Sequence, residues 1–596
     1  MPDVARRLRG RARSVTRAFV AALLVVVLVP AWGFDGVFQE RAPGRPVTPE
    51  GLAALPALLP VMECAALAGL TLDDVTDAPV ALWTATLTND GETAPYCEVR
   101  GNIEPANTLL MRLPVDGWTQ RYVQTGCGAR CGYASINFPQ GGDCAPVRAG
   151  TVASATSDMG HQGERDGSWA AYEPQAQIDF AYRAMHVTAE AAKAIITRFY
   201  GKAPAYSYFI GCSDGGREGL MEAQRFPDDF DGIVAGAPAN NVVVQNFFHH
   251  GWGVRANRDS RGRYILLAGK LPLIHRAVVA ACDELDGVAD GVLDDPRLCD
   301  FDPGVLRCEP GQKRSRCLTA AEVGAVRRLH DGAVDEHGNR FEVPVAREWG
   351  SELGWRVFVP DRQGQSSYSE RSALAYGRYL GRTNVVDPDW RLSELEFTTE
   401  SFWDLVGSSA YLAANNPDLS DFRRSGGKLL LWHGWEDQFI APRSTLAYYE
   451  AMRAAMGGAA VDKFAKLYMF PGVAHCTGGN GLATFDVLTP LMAWTESGRE
   501  PGKITVSGGD DDVTSTRPVY PYPAVARHDG AGDPDDAASF VPVTPTPRPR
   551  SDYQWLGERL YSGDYQRWCE AADTRLVCAP AQTWLTRREL RLSSGS

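Results

Sequence analysis

Past Gly33 the sequence has no stretch apolar enough to cross a bilayer, which excludes a multi-span membrane protein. It has no basic excess either. The formal net charge is -13, which disfavours nucleic acid, whose binding is led by Lys and Arg contacts to phosphate. No CxxC pair with a matching second half occurs, so the 13 cysteines do not read as a zinc site. No internal repeat occurs, which sets aside solenoid architectures.

What is present is ordinary in bulk: 44% hydrophobic and 22% charged residues, as in soluble globular proteins. At 596 residues the chain is too long for one compact core, so two domains or one domain with a large insertion is expected.

The first residues do not read as globular. Arg6, Arg7, Arg9, Arg11, Arg13 and Arg17 precede the apolar run FVAALLVVVLVPAWG, Phe19 to Gly33. This is the n-region and h-region of a secretory signal over residues 1–33, with cleavage after Gly33. A retained membrane anchor is the rival reading, but the run is short for a full span. An exported chain is secreted or extracytoplasmic, with no stable membrane insertion once the signal is removed. Its cysteines then read as disulfides. The spacing of Cys282, Cys299, Cys308 and Cys317 suggests local loops closed by bridges. The odd total leaves at least one thiol unpaired or paired between chains.

From about Cys64 to Ala239, strand-like and helix-like segments alternate, as in α/β proteins. WTATLT, RYVQTG, TVASATS and YSYFIG read as strands, and Ile178 to Gly201 as one amphipathic helix ending at a glycine. Buried-type strands return late, as KLLLWHG and KLYMFPG. The irregular stretch between reads as an inserted lid. The expected layout is an α/β core over 34–239, a lid over 240–416, and the rest of the core with a C-terminal wrap over 417–596. Residues 508 to 550, rich in Pro and Asp, are expected as a wrap or surface loop with little periodicity.

Gly211-Cys212-Ser213-Asp214-Gly215 matches G-x-S-x-G, between a strand and a helix. That context is the nucleophile elbow of α/β-hydrolases. The competing reading is a serine that only caps the helix. A serine hydroxyl needs a base, and the chain order in such folds is Ser, acid, His. HGWEDQFI supplies Asp437, with Glu436 as rival, and FPGVAHC supplies His475. His475 would take the Ser213 proton and Asp437 would hold the imidazole. His161 and His433 read as structural groups near the site, His186 as core or a satisfied polar contact, and His249 and His250, at the start of the insertion, as surface residues with substrate contact as the rival reading. Cys212 precedes the nucleophile and Cys476 follows the base. If the triad forms, these cysteines come close, and a bridge there would clamp Ser to His, geometry permitting.

GCSDGGREGLMEAQRFPDDFDGIVAGAPA, AANNPDLSDF, HGWEDQFIAP and FPGVAHC together resemble the tannase and feruloyl esterase family, which includes hydrolases of mono(2-hydroxyethyl) terephthalate. The resemblance runs from about Cys64 to Phe540. It implies an α/β-hydrolase core with a large inserted lid, the triad Ser213, Asp437 and His475, and the bridge Cys212–Cys476. It also implies an oxyanion hole from the N–H of Asp214 and a second N–H in TGCGARCG, Gly128 or its rival Cys127. In CDELDGVADGVLDD it implies a structural calcium ion in the lid. The ligands would be Asp283, Asp286 and Asp290 carboxylates with Val288 and Val292 carbonyls, an oxygen set suited to a hard cation. No cofactor is implied for catalysis. Bridges Cys282–Cys299, Cys308–Cys317, Cys64–Cys97 and Cys569–Cys578 follow from the same resemblance. The pairing of Cys127, Cys131 and Cys144 stays open. Tyr520 and Pro542 stand where relatives often carry a cysteine pair.

The function expected is a secreted serine esterase acting on small esters of aromatic acids: galloyl, feruloyl or terephthalate monoesters. Trp390, Arg391, Phe402 and Trp403 are possible lid contacts that core packing explains equally well. A peptidase or acyltransferase on the same triad, or an inactive hydrolase fold used for binding, are the alternatives. Neither the choice of ester nor the oligomeric state is readable in the sequence.

Overall fold

The computed structural model describes residues 48–580, apart from 49, 90, 92–93, 164–165, 344, 509–513 and 546–554. The expected signal segment lies outside the described residues. Ten strands form the central sheet: β1 (Thr71–Leu72), β2 (Val80–Thr88), β3 (Tyr96–Ile103), β4 (Asn107–Pro114), β5 (Arg121–Thr125), β6 (Ala153–Ser157), β7 (Tyr206–Cys212), β8 (Gly232–Gly236), β9 (Lys428–Gly434) and β10 (Ala465–Phe470). Their spatial order is β1-β2-β3-β4-β6-β5-β7-β8-β9-β10. Strands β1 to β4 and the β4–β6 pair are antiparallel, and every pair from β6 through β5 to β10 is parallel.

The sequence of each strand matches its place. β7, β8 and β9 are near-continuous buried runs, as parallel strands covered on both faces must be. Alternation within those runs divides two cores. Tyr208, Ile210, Leu430 and Trp432 pack on one face, and Phe209, Leu429 and Leu431 on the other.

The single helix expected over 178–201 is interrupted. A π-helical turn, Asp179–Arg183, precedes the α-helix Ala184–Tyr200. The buried Arg217 guanidinium donates to the carbonyls of Phe180 and Ala181 at 2.8 and 2.7 Å, giving that turn partners outside its own helix. The helix ends as expected at Gly201, in the left-handed region with φ 67°.

Among the described residues, no strand of the central sheet lies between β8 and β9. That stretch carries helices such as Leu271–Cys282 and Ala320–Asp331, the latter started by a capping box of Thr319 and Glu322. A third core, including Trp349, Trp355 and Phe358, draws only on residues of this insertion.

The C-terminal region is more regular than expected. β11 (Ile504–Gly508) pairs with β12 (Ser515–Val519), and β13 (Val525–His528) with β14 (Phe540–Val543), both antiparallel. These ribbons are short and mostly half-exposed, so they carry little apolar signal. Tyr520 donates its hydroxyl to the Phe540 carbonyl at 3.1 Å. Disulfides join Cys64–Cys97, Cys127–Cys131, Cys212–Cys476, Cys282–Cys299, Cys308–Cys317 and Cys569–Cys578. The leftover thiol is Cys144, which is buried.

Candidate active site

Strand β7 ends directly below a sharp turn. Ser213 has φ 67° and ψ -119°, strained for a residue with a side chain. It stands at the N-cap of the helix Asp214–Arg225, yet its side chain makes no capping hydrogen bond. Capping therefore does not explain this serine. The glycines around it are sterically required. A Cβ on Gly211 would lie 2.3 Å from the Gly215 carbonyl oxygen, and one on Gly216 would lie 2.3 Å from the Gly236 carbonyl oxygen. Gly126, just after β5, touches Gly215 backbone to backbone, where a Cβ would come within 2.6 Å. The Gly215 N–H donates to the Cys127 carbonyl at 2.8 Å. The loop after β5 is thus fastened to the elbow.

That contact brings Gly128, Ser213 and Asp214 into one cleft of about 310 Å³. Among the described residues, neither the Gly128 nor the Asp214 N–H is bonded to another backbone group. The rival, the Cys127 N–H, is directed to Glu218 Oε1 at 3.4 Å. Asp214 itself is buried and clamped by Arg217, whose Nε and Nη2 donate to its two oxygens at 2.8 and 2.9 Å.

Asp437 lies in the turn after β9 and His475 in the loop after β10. His475 Nδ1 donates to Asp437 Oδ2 at 2.6 Å, and His475 lines the same cleft as Ser213. With Nδ1 donating, Nε2 is the nitrogen left for proton transfer. Asp437 is almost fully buried and its oxygens are saturated. Oδ2 also accepts from His433 Nε2 at 3.0 Å, and Oδ1 accepts from the N–H groups of Phe439 and Ile440 at 2.7 and 2.9 Å. Burial alone would raise its pKa, but His475 and the donated hydrogen bonds outweigh burial and hold it well below the usual range. Glu436 faces elsewhere and accepts from the Asn480 N–H at 3.0 Å. Burial pushes its carboxyl up to about 8.

Cys212 and Cys476 form a disulfide with Cα atoms 5.9 Å apart, across 264 residues of chain. The bond ties the residue before Ser213 to the residue after His475.

His161, His433 and His186 are hydrogen-bonded internally, to Arg130, Asp437 and Asp229. His249 and His250 depart from the surface expectation: both are buried. His250 lines the cleft, its Nδ1 lies 2.8 Å from Ser369 Oγ, and its Nε2 has no partner. Burial, with His249 and Arg347 adding to it, holds His250 neutral. The sequence gives it no motif, only a position at the start of the insertion. Tyr368 and Phe439 also line the cleft and were not anticipated. Trp390 and Phe402 are instead buried in the core, away from the cleft lining.

Two places offer donors to a metal. Cys127, Cys131, Asp214 and Glu218 present donor atoms within 4.8 Å of one another. The two sulfurs are joined to each other and Asp214 is paired with Arg217, so this cluster lacks free ligands. In the insertion between β8 and β9, Asp283, Asp286 and Asp290 accept from the N–H groups of Gly291, Val288 and Val292 at 2.8, 2.8 and 3.1 Å. Asp290 is also paired with Arg517. Burial and then Asp290 raise Asp286 to about 6, and burial and then Asp286 raise Asp294 well above its usual value. Asp294 was not among the expected ligands. These are oxygen donors of the kind a hard cation takes, but among the described residues they do not gather within 4.8 Å of one another as the Cys127 group does.

The fold is that of an α/β-hydrolase. A family model described as Tannase and feruloyl esterase matches residues 96–543. The chain is 32% identical over 523 residues to mono(2-hydroxyethyl) terephthalate hydrolase of Piscinibacter sakaiensis, covering 76% of this chain and 85% of that one. It is 31% identical over 470 residues to a probable feruloyl esterase of Arthroderma benhamiae, covering 73% and 81%. The crystal structure of feruloyl esterase B from Aspergillus oryzae superposes with a TM-score of 0.66 at 27% identity, over 80% of this chain and 95% of that one. The tannin acyl hydrolase from Aspergillus niger shares the fold, with a TM-score of 0.60. The chain belongs to the tannase and feruloyl esterase family.

Proposed function

We propose that this protein is an exported serine esterase that cleaves small esters of aromatic acids through an acyl-enzyme. The observation that carries the reading is the Ser213 elbow facing the same cleft as His475, which is held by Asp437 at 2.6 Å. Ser213 Oγ attacks the ester carbonyl while His475 Nε2 takes its proton and passes it to the leaving alcohol. Asp437 stabilises the imidazolium. The N–H groups of Gly128 and Asp214 receive the developing oxyanion, a contribution of about 3 kcal/mol for one such donor. Water then repeats the sequence on the acyl-enzyme. Tyr368 and Phe439 supply apolar walls suited to an aryl group.

The stretch 240–416 acts as the lid over this cleft. A calcium ion in its loop would be held by the carboxylates of Asp283, Asp286 and Asp290 and the carbonyls of Val288 and Val292. Its role is structural, since acyl transfer by the triad needs no metal. Export through the segment 1–33 accords with six disulfides in the chain. No helix of the described residues is long and apolar enough to cross a membrane.

The test is hydrolysis of methyl gallate, methyl ferulate, mono(2-hydroxyethyl) terephthalate and a short aliphatic nitrophenyl ester, beside Ser213→Ala. Aromatic-ester turnover that disappears in Ser213→Ala is expected. Turnover of none of them, or turnover unchanged in Ser213→Ala, contradicts the proposal. Cleavage of amides in place of esters would favour a peptidase.

A further inference from the structure

A second cleft, of about 490 Å³, opens beside the active one. Asn137 stands in the wall of both. Its chemistry is unlike the rest of this acidic chain. Arg112 on β4 and Arg148 at the end of the short helix Ala145–Arg148 both line it, and among the described residues no carboxylate does. Among the described residues neither guanidinium has an ion-pair partner or a hydrogen-bond acceptor. Among the described residues Arg112 Nε is buried with no partner, a donor that a bound acceptor would satisfy. The Arg112 guanidinium lies over the Tyr96 ring at 5.0 Å, which fixes its plane. Phe138 and Val152 add apolar wall, and Ser154, opposite Arg112 in the sheet register, adds a hydroxyl.

Two unpaired guanidiniums beside aromatic surface are a receptor for a planar carboxylate on an apolar body. We propose that this cleft is a second binding site, for an aromatic carboxylate. The acid released by hydrolysis of an aromatic ester has this chemistry, and so does the free carboxylate of a substrate that carries one. The site stands on its own residues and does not depend on the role given to Ser213.

The test is calorimetric titration of the full chain with sodium benzoate, benzamide and sodium galacturonate. Benzoate is expected to bind, more weakly as salt rises, and benzamide is expected to lose that binding. Arg148 is exposed, so Arg148→Gln leaves the fold intact and should weaken benzoate about tenfold, the scale of one charged hydrogen-bond partner. Arg112→Gln with Arg148→Gln should abolish it. Occupancy of the catalytic cleft alone would leave the benzoate affinity unchanged in Arg148→Gln, and that result overturns the proposal. Galacturonate binding more tightly than benzoate would overturn the assignment to an aromatic acid.

Discussion

At the scale of single residues, the carboxyls Glu436 and Asp437 are neighbours with opposite fates. Asp437 receives four hydrogen bonds and stays ionised, while Glu436 is buried, accepts from Asn480 and is driven toward its neutral form. The signs for stability follow. Asp437 has a depressed folded pKa, so its contribution is complete above its unfolded value near 3.8 and is lost as pH falls below it. Glu436 has a raised folded pKa, so the folded state is progressively penalised as pH rises from about 4.5 to about 8. Glu436→Gln should therefore raise the unfolding midpoint at pH 8 and much less at pH 5, with a gain on the order of 2 kcal/mol at the higher pH. Thermal melts of both proteins across that range check it, and an equal shift at both pH values contradicts it. Asp437→Asn keeps the shape but loses the charge that orients His475. It should lower kcat about 10⁴-fold with KM little changed. Steady-state kinetics on methyl ferulate read this directly, and a loss confined to KM would contradict it.

At the scale of elements, the site is a meeting of the ends of β5, β7, β9 and β10, and the joints at the elbow are made of close backbone contact. The helix Asp214–Arg225 seats against β8 only because Gly216 has no side chain. Gly216→Ala should destabilise the fold by several kcal/mol, read as lost soluble expression or a much lower melting midpoint. A variant with unchanged stability would show that the elbow is looser than described. The Cys212–Cys476 bond closes a loop of 264 residues. Replacing both cysteines by alanine should lower stability by about 3 kcal/mol and reduce kcat, since the serine and histidine loops are then held by packing alone. Melting and turnover unaffected by the double change would refute a clamping role. Much of this scale was legible beforehand. The small residues around Ser213, the apolar runs of β7 and β9, and the two cysteines beside the nucleophile and base are local signals. The π turn at Asp179–Arg183 was not legible, because the Arg217 guanidinium that meets its carbonyls lies more than thirty residues away in the chain. The ribbons β11 to β14 were hidden because their short strands bury little.

At the scale of the whole molecule, a continuous sheet positions Ser213, Asp437 and His475, and a long insertion between β8 and β9 has a core of its own. From that insertion His250 and Tyr368 reach the cleft, which no motif announces. They sit far from Ser213 in sequence and reach the cleft only through the tertiary fold. If calcium orders the lid loop, chelation with EGTA should lower the melting midpoint by several degrees, and added calcium should restore it. A midpoint indifferent to EGTA would remove calcium from the account. The central claim is covalent: the acyl group must pass through Ser213. Rapid acid quenching during turnover of methyl ferulate, followed by peptide mass spectrometry, tests it most directly. The account predicts a feruloyl mass increment on the peptide containing Ser213 and none in Ser213→Ala. An increment on another residue, or the same increment in Ser213→Ala, would contradict it.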